Sequence, residues 1–179
     1  MLNGAITVLS RETHFEFFEP RTGIAMKAAS IAELKKTLVT LEQGELLEAC
    51  LRLARFKKDN KELLTYLLFL SDDEPGYVSY LCELIDEQFK LTPNAHKKTL
   101  RKTIRWMDKC LRFSGIKETE VQVRIHFCQA LNSSKTPFRK HRVMTNMYTG
   151  QLKKINKAME KFHPDVQYEY RQAVKKLEL

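Results

Sequence analysis

The sequence predicts an all-α protein of about eight helices in antiparallel hairpins. The hairpins would form either a repeat-like α-α superhelix of the tetratricopeptide or HEAT kind or an irregular helical bundle. Glycine and proline, which both disfavour helix interiors, number only 6 and 5 in 179 residues. Apolar residues recur at intervals of three and four along most of the chain, which is the spacing of one helix face.

Capping and stop residues divide the chain into these helices. Ser30 and Glu33 form a capping-box pattern at the first helix, and Gly44 offers its end. Further starts are expected near residues 45, 60, 76, 93, 117, 139 and 165. The third helix is apolar around nearly its whole circumference from Leu63 to Leu70, so we expect it to lie at the centre of the fold.

One segment could be read as a helix or as a strand. Val121 to Phe127 alternates apolar and polar residues, as a half-buried strand does. The same stretch places Val121, Ile125 and Leu131 on one helical face, and acidic residues suited to a first helical turn precede it. We therefore predict a helix, with a strand paired to the N-terminus as the alternative.

The first 25 residues differ from the rest of the chain. Two β-prone runs, Ile6 to Leu9 and Phe15 to Glu19, lie among glycine, proline and arginine residues. We expect residues 1–25 to be an N-terminal extension, irregular or with short β-structure, and Met26 is an alternative natural start. Residues 26–179 are predicted to form a single helical-hairpin domain.

Charge is distributed unevenly between the two halves of the chain. Residues 1–89 carry 10 Lys/Arg and 15 Asp/Glu, whereas residues 90–179 carry 21 and 7. The net charges are therefore −5 and +14. Such asymmetry indicates either that the halves attract each other or that the basic half meets an external polyanion.

The basic residues concentrate on the fifth predicted helix, from Thr92-Pro93 to about Phe113, with Gly115 as its stop. A basic ridge lies within about 140° of the circumference of this helix, separate from its apolar stripe. The ridge consists of Lys97, Lys98, Arg101, Lys102, Arg105, Lys109 and Arg112. A second basic cluster follows a loop-like stretch and contains Arg139, Lys140 and Arg142.

Two interpretations of the basic ridge remain open. Lysine and arginine side chains bind nucleic-acid phosphates without reading sequence, so the ridge is a candidate polyanion-binding surface. Alternatively, the ridge is a solvated face, or it is partly neutralised within the fold by Glu83, Asp86 and Glu87 of the preceding helix.

Other classes of site find little support in the sequence. The histidines are scattered and no cysteine pair has ligand spacing, so we expect no metal and no cofactor. No catalytic motif is present, and we expect a protein that is not an enzyme. No apolar run reaches the roughly 18 residues of a membrane span. The four cysteines are expected to be buried free thiols of a protein in the reducing cytoplasm.

Three runs carry a resemblance to known sequences. They are Leu53 to Lys58, Asn60 to Phe69 and Lys117 to Val121. Together they resemble a family of small all-helical bacterial proteins with no assigned activity, over most of the chain after Met26. The resemblance implies a bacterial, cytoplasmic protein and transfers no functional residue.

The sequence thus predicts a non-enzymatic helical binding or scaffold protein. Its basic C-terminal half would engage an anionic macromolecule, either an acidic protein or nucleic acid, with no membrane partner. One alternative is sequence-independent RNA or DNA binding as the main role. A second is an enzyme whose catalytic residues come together only in the folded chain.

Overall fold

A computed structural model describes residues 27–177 of the chain, and these residues form eight α-helices and no strand. This confirms the predicted all-α class. The helices are α1 (Ile31–Leu38), α2 (Gln43–Phe56), α3 (Lys58–Phe69), α4 (Glu74–Leu91), α5 (Lys97–Ser114), α6 (Lys117–Ser133), α7 (Arg142–Met159) and α8 (Pro164–Lys175), with a short 3-10 helix at Phe138–Lys140.

The chain divides into two compact units, residues 1–49 and 50–179, and the boundary falls within α2. The predicted extension, residues 1–25, lies outside the described residues. A single domain over residues 26–179 therefore stays a prediction.

In the first unit, α1 begins at the predicted capping box. The Ser30 backbone N–H donates to the Glu33 carboxylate at 2.7 Å, and the Glu33 backbone N–H donates to the Ser30 hydroxyl at 3.3 Å. These bonds satisfy backbone groups that the first helical turn leaves free. No residue of α1 is buried, so local capping rather than a core defines this helix.

In the second unit, neighbouring helices pack against each other and also against the helix two positions along the chain. Helix α3 packs on α5, α4 on α6, α5 on α7, and α6 on α8. Successive helices from α4 onward also contact each other. Stacked helical hairpins produce this pattern, which fits a helical bundle or a repeat-like arrangement.

Helix α6 occupies the centre of the second unit. It contacts α4, α5, α7 and α8, and Val121, Val123 and Phe127 are fully buried although they point in different directions. The alternating segment is thus a helix as predicted, and its alternation reflects burial on several sides. No strand partner is involved among the described residues.

The prediction that the third helix is central is wrong. In α3 only Tyr66 is buried, whereas Leu67, Leu68 and Phe69 are 52%, 62% and 77% exposed. The physical reason is that, among the described residues, α3 packs mainly against α5, and the side that carries Leu67, Leu68 and Phe69 is left largely exposed.

The predicted start of the fifth helix is also corrected. Residues 93–96 lie outside the helix, which begins at Lys97. The Ala95 backbone N–H donates to the Thr136 hydroxyl at 2.9 Å, and that hydroxyl donates to the Pro93 carbonyl at 3.3 Å. The helix ends at Gly115, whose φ of 70° lies in the left-handed region that glycine adopts without strain.

Within residues 27–177, no helix combines the length and the apolar character that a membrane crossing requires.

Candidate functional site

The basic ridge of α5 lies on the surface. Six of its seven cations are exposed, and Lys109 is half-buried. The exposed members are Lys97, Lys98, Arg101, Lys102, Arg105 and Arg112.

Lys109, near the C-terminal end of the ridge, is neutralised within the fold by α3. The Lys109 ammonium lies 2.5 Å from the Glu62 carboxylate and 2.9 Å from that of Asp59. The hydrogen bonds that Lys109 donates to Glu62 and Asp59 raise the pKa of Lys109. The hydrogen bond from Lys109 lowers the pKa of Asp59, and the nearby charge of Arg112 contributes a smaller part of that effect.

The acidic residues of α4 do not provide this neutralisation in the described part of the chain. Asp86 lies 2.8 Å from the Nε2 atom of His126 on α6, and neither Glu83 nor Glu87 forms an ion pair there. The acidic residues that pair with the ridge therefore come from α3 and not from α4 as expected. Among the described residues, Lys109 is the only ridge residue in such a pair.

The N-terminal part of the ridge has no such partners. Among residues 27–177, no carboxylate pairs with Lys97, Lys98, Arg101, Lys102 or Arg105, and these side chains make no hydrogen bond. The first turn of α5 contains no acidic residue. Cations at a helix N-terminus are opposed by the helix dipole, so this end carries an uncompensated positive potential.

The second basic cluster lies on segments tied to the start of α5. Arg139 and Lys140 belong to the 3-10 helix, Arg142 begins α7, and all three are exposed. The guanidinium of Arg139 packs 5.6 Å from the centre of the Phe138 ring and donates to Asn132 at 3.4 Å. The Thr136 hydrogen bonds to residues 93 and 95 hold this cluster beside the free end of the ridge.

An open groove of about 450 Å³ separates α5 from α7. Apolar side chains of Ile104, Val143 and Met147 line it, and Arg101, Arg105 and Lys154 contribute cations. Gly150 and Gln151 complete the α7 wall. The groove therefore joins the ridge to α7 and combines apolar surface with positive charge.

A buried ion network lies beside this groove. Arg124 of α6 is 4% exposed, and its guanidinium contacts Asp108 of α5 at 2.8 Å and Glu120 at 2.9 Å. It also donates to the Gln151 side-chain oxygen at 2.5 Å. Lys154 of α7 pairs with the same Asp108 at 2.8 Å. The network thus joins α5, α6 and α7.

The network changes the ionisation of both carboxyl groups. Burial opposes ionisation of Asp108, but the Lys154 hydrogen bond and the charge of Arg124 outweigh it, so the pKa of Asp108 is lowered. Burial likewise opposes ionisation of Glu120, and Lys117 and Arg124 lower its pKa overall. Both groups are therefore held as anions that neutralise the buried guanidinium.

Sequence reasoning missed Arg124 because it is a polar position in an alternating segment. One sequence signal could have indicated it. In a helix that is buried on several sides, a polar residue within the alternating segment can also lie in the core. Its partners Asp108 and Gln151 lie on other helices, and no spacing rule connects them.

Metal and thiol chemistry find no support in the described residues. No group of three or more His, Cys, Asp or Glu side chains there could hold a metal ion. All four cysteines are free thiols. Burial raises the pKa of Cys82 and Cys110 to about 11 and that of Cys128 to about 12, so these thiols are protonated and weakly nucleophilic at neutral pH.

Comparison with protein-family models, with curated proteins and with solved structures finds no significant match to this chain.

Proposed function

We propose that this chain is a non-enzymatic binding protein whose basic face engages an anionic macromolecule, and that nucleic acid is the partner. The basic face consists of the free end of the ridge, from Lys97 to Arg105, together with Arg139, Lys140 and Arg142. One observation carries the proposal. The cations at the free end are exposed and lack acidic partners within residues 27–177, although the same helix pairs Lys109.

The composition of the face favours nucleic acid over an acidic protein. Lysine is depleted in protein–protein interfaces, which usually contain a buried core with aromatic residues. Lysine makes up about half of this face. Phosphate groups suit lysine side chains because lysine can bind a phosphate at the protein surface without burial of its ammonium group.

The proposal places the protein in the cytoplasm, where its four free thiols would persist. Binding would be independent of base sequence, because phosphate contacts position a protein on nucleic acid without reading bases.

The test is fluorescence-anisotropy binding to single-stranded RNA and to duplex DNA across a salt series. We expect binding at about 50 mM salt that weakens steeply as salt rises, since phosphate contacts release counterions. Changing Arg101, Lys102 and Arg105 to Glu should reduce affinity at least about 30-fold, because three attractive contacts become repulsive.

A matched control separates location from net charge. Changing Lys27, Lys35 and Lys36 to Glu makes the same charge change at exposed positions outside α5 and α7. This control should lose only a few-fold in affinity. Equal losses in both triple variants would show that affinity follows net charge and would remove the basic face as the binding surface. No binding even at low salt would remove nucleic acid as the partner and leave an acidic protein as the second candidate.

A further inference from the structure

We propose that the groove between α5 and α7 holds one unstacked base of a single-stranded nucleic acid, while the basic face holds the flanking phosphates. This inference rests on the proposed function and adds a preference for single strands. Three independent features of the groove carry it: its apolar lining, a buried amide donor and its rim of cations.

The apolar lining supplies a surface for a base. Ile104 of α5 and Val143 and Met147 of α7 contribute aliphatic and thioether groups to an open groove of about 450 Å³. Ligand sites occupy roughly 300–1,000 Å³, so the groove has room for a group the size of a base. A base within a duplex is stacked on both sides and could enter only after it was flipped out, which requires its unpairing and unstacking.

The amide group of Gln151 supplies a polar contact at the edge of the lining. Its side chain is 3% exposed, and its oxygen accepts from Arg124, which can only donate. The amide nitrogen therefore points the other way, and it donates to no described residue. Since no fully buried side-chain nitrogen or oxygen in the described part of the chain lacks a partner, this nitrogen retains some exposure, and Gln151 is a lining residue of the groove. It is positioned to donate to a base carbonyl.

The rim supplies cations for the phosphates on either side of that base. Arg101 and Arg105 lie one helical turn apart on α5, and neither forms an ion pair within residues 27–177. Lys154 faces them from α7, fixed by its contact with Asp108. Among the described residues, Arg124, Lys154 and Lys117 share the two carboxylates Asp108 and Glu120, so this ion network retains a net positive charge beside the groove.

Gly150 allows the groove to be filled without a change in charge. A Cβ atom added at Gly150 would meet no atom within 4 Å, and leucine forms helices better than glycine. Gly150→Leu should therefore fold and place its side chain in the groove. Gly44→Leu is the matched control, because Gly44 lies in α2 and also has no atom within 4 Å of an added Cβ.

The experiment compares two strands of about 12 nucleotides that carry equal numbers of phosphates. One is an oligothymidine, and the other is an abasic strand with tetrahydrofuran sugars in place of every nucleoside. We expect the unchanged protein and Gly44→Leu to bind oligothymidine about five- to tenfold more tightly than the abasic strand. We expect no larger preference because the lining is aliphatic, whereas the strongest contacts with bases come from aromatic side chains. Gly150→Leu should bind both strands equally, with an unchanged salt dependence.

The outcomes separate this inference from the proposed function. Equal binding of both strands by the unchanged protein, with steep salt dependence, overturns the base site and leaves backbone binding in place. A preference for oligothymidine that survives in Gly150→Leu also overturns the base site. Failure of both strands to bind at about 50 mM salt removes the proposed function itself.

Discussion

Two groups of cations in the second unit differ in burial and in pairing with acidic residues. Arg124 is buried, and two carboxylates and an amide oxygen surround its guanidinium. The cations from Lys97 to Arg105 are exposed and meet no acidic partner in the described part of the chain. The fold thus compensates the charge of the buried Arg124 and leaves the cations at the start of α5 without acidic partners among residues 27–177. The contacts of Arg124 stabilise the fold. In the part of the chain that it describes, the structure shows no stabilising contact for the exposed cations from Lys97 to Arg105.

The largest expected effect is the loss of the buried cation. Arg124→Met should lower the free energy of unfolding by about 3 kcal/mol, because removing one partner of a buried ion pair leaves Asp108, Glu120 and Gln151 incompletely paired. Urea unfolding followed by circular dichroism measures this change. Arg171→Met, on the exposed surface of α8, is the control and should cost less than about 0.5 kcal/mol. A loss below about 1 kcal/mol for Arg124→Met would show that the network contributes little.

The second effect is a loss of stability in acid. Asp108 and Glu120 have lowered pKa values in the folded protein, so they bind protons more weakly there than in the unfolded chain. Their contribution is complete well above the ordinary pKa values of 3.8 and 4.5, and it is lost as the pH falls below those values and through the lower pKa values of the folded protein. Unfolding free energies measured across this range should show a decline.

The variant Asp108→Asn isolates this contribution. It should be less stable than the unchanged protein at pH 7, and the difference should shrink as the pH falls, because protonation also removes the charge of Asp108. Asp72→Asn replaces an exposed carboxylate that forms no ion pair among residues 27–177 and should match the unchanged protein throughout. A constant difference for Asp108→Asn at all pH values would argue against the lowered pKa.

The smallest effect concerns the exposed cations. Arg101 lies three or four residues from Lys97, Lys98 and Arg105, so Arg101→Glu replaces three like-charge neighbours with attractive pairs. We expect stability to rise by about 0.5–1 kcal/mol at low salt, and the gain to fade as salt screens the charges. Thermal unfolding at low and high salt tests this, with Arg101→Gln as an intermediate. A loss of stability at low salt would assign Arg101 a role within the fold.

The sequence predicted helices well and burial poorly. The spacing of apolar residues locates α4 and α7 because helical periodicity is a local property. It does not distinguish α3 from α6, since both carry apolar residues around the helix and only their neighbours decide which is covered. The start of α5 depends on Thr136, which lies about 40 residues further along the chain.

The candidate site shows the same division. The ridge itself follows from the spacing of its cations on one helix. The pairing of Lys109 with α3, the groove and the inward amide of Gln151 depend on how separate helices pack, and no sequence pattern fixes that. The sequence shows the charge imbalance between the two halves of the chain. It does not show which carboxylates pair with the basic residues in the folded protein.

The hydroxyl of Thr136 has a consequence for binding kinetics. Its hydrogen bonds to Ala95 and Pro93 hold the start of α5 and the 3-10 segment in place before any ligand arrives. For the proposed nucleic-acid binding, association would therefore not need to order this segment, and the remaining entropic cost would be that of immobilising the cationic side chains. A charged face that is already assembled allows association at rates set by diffusion and electrostatic steering, rather than by a slow rearrangement of the protein.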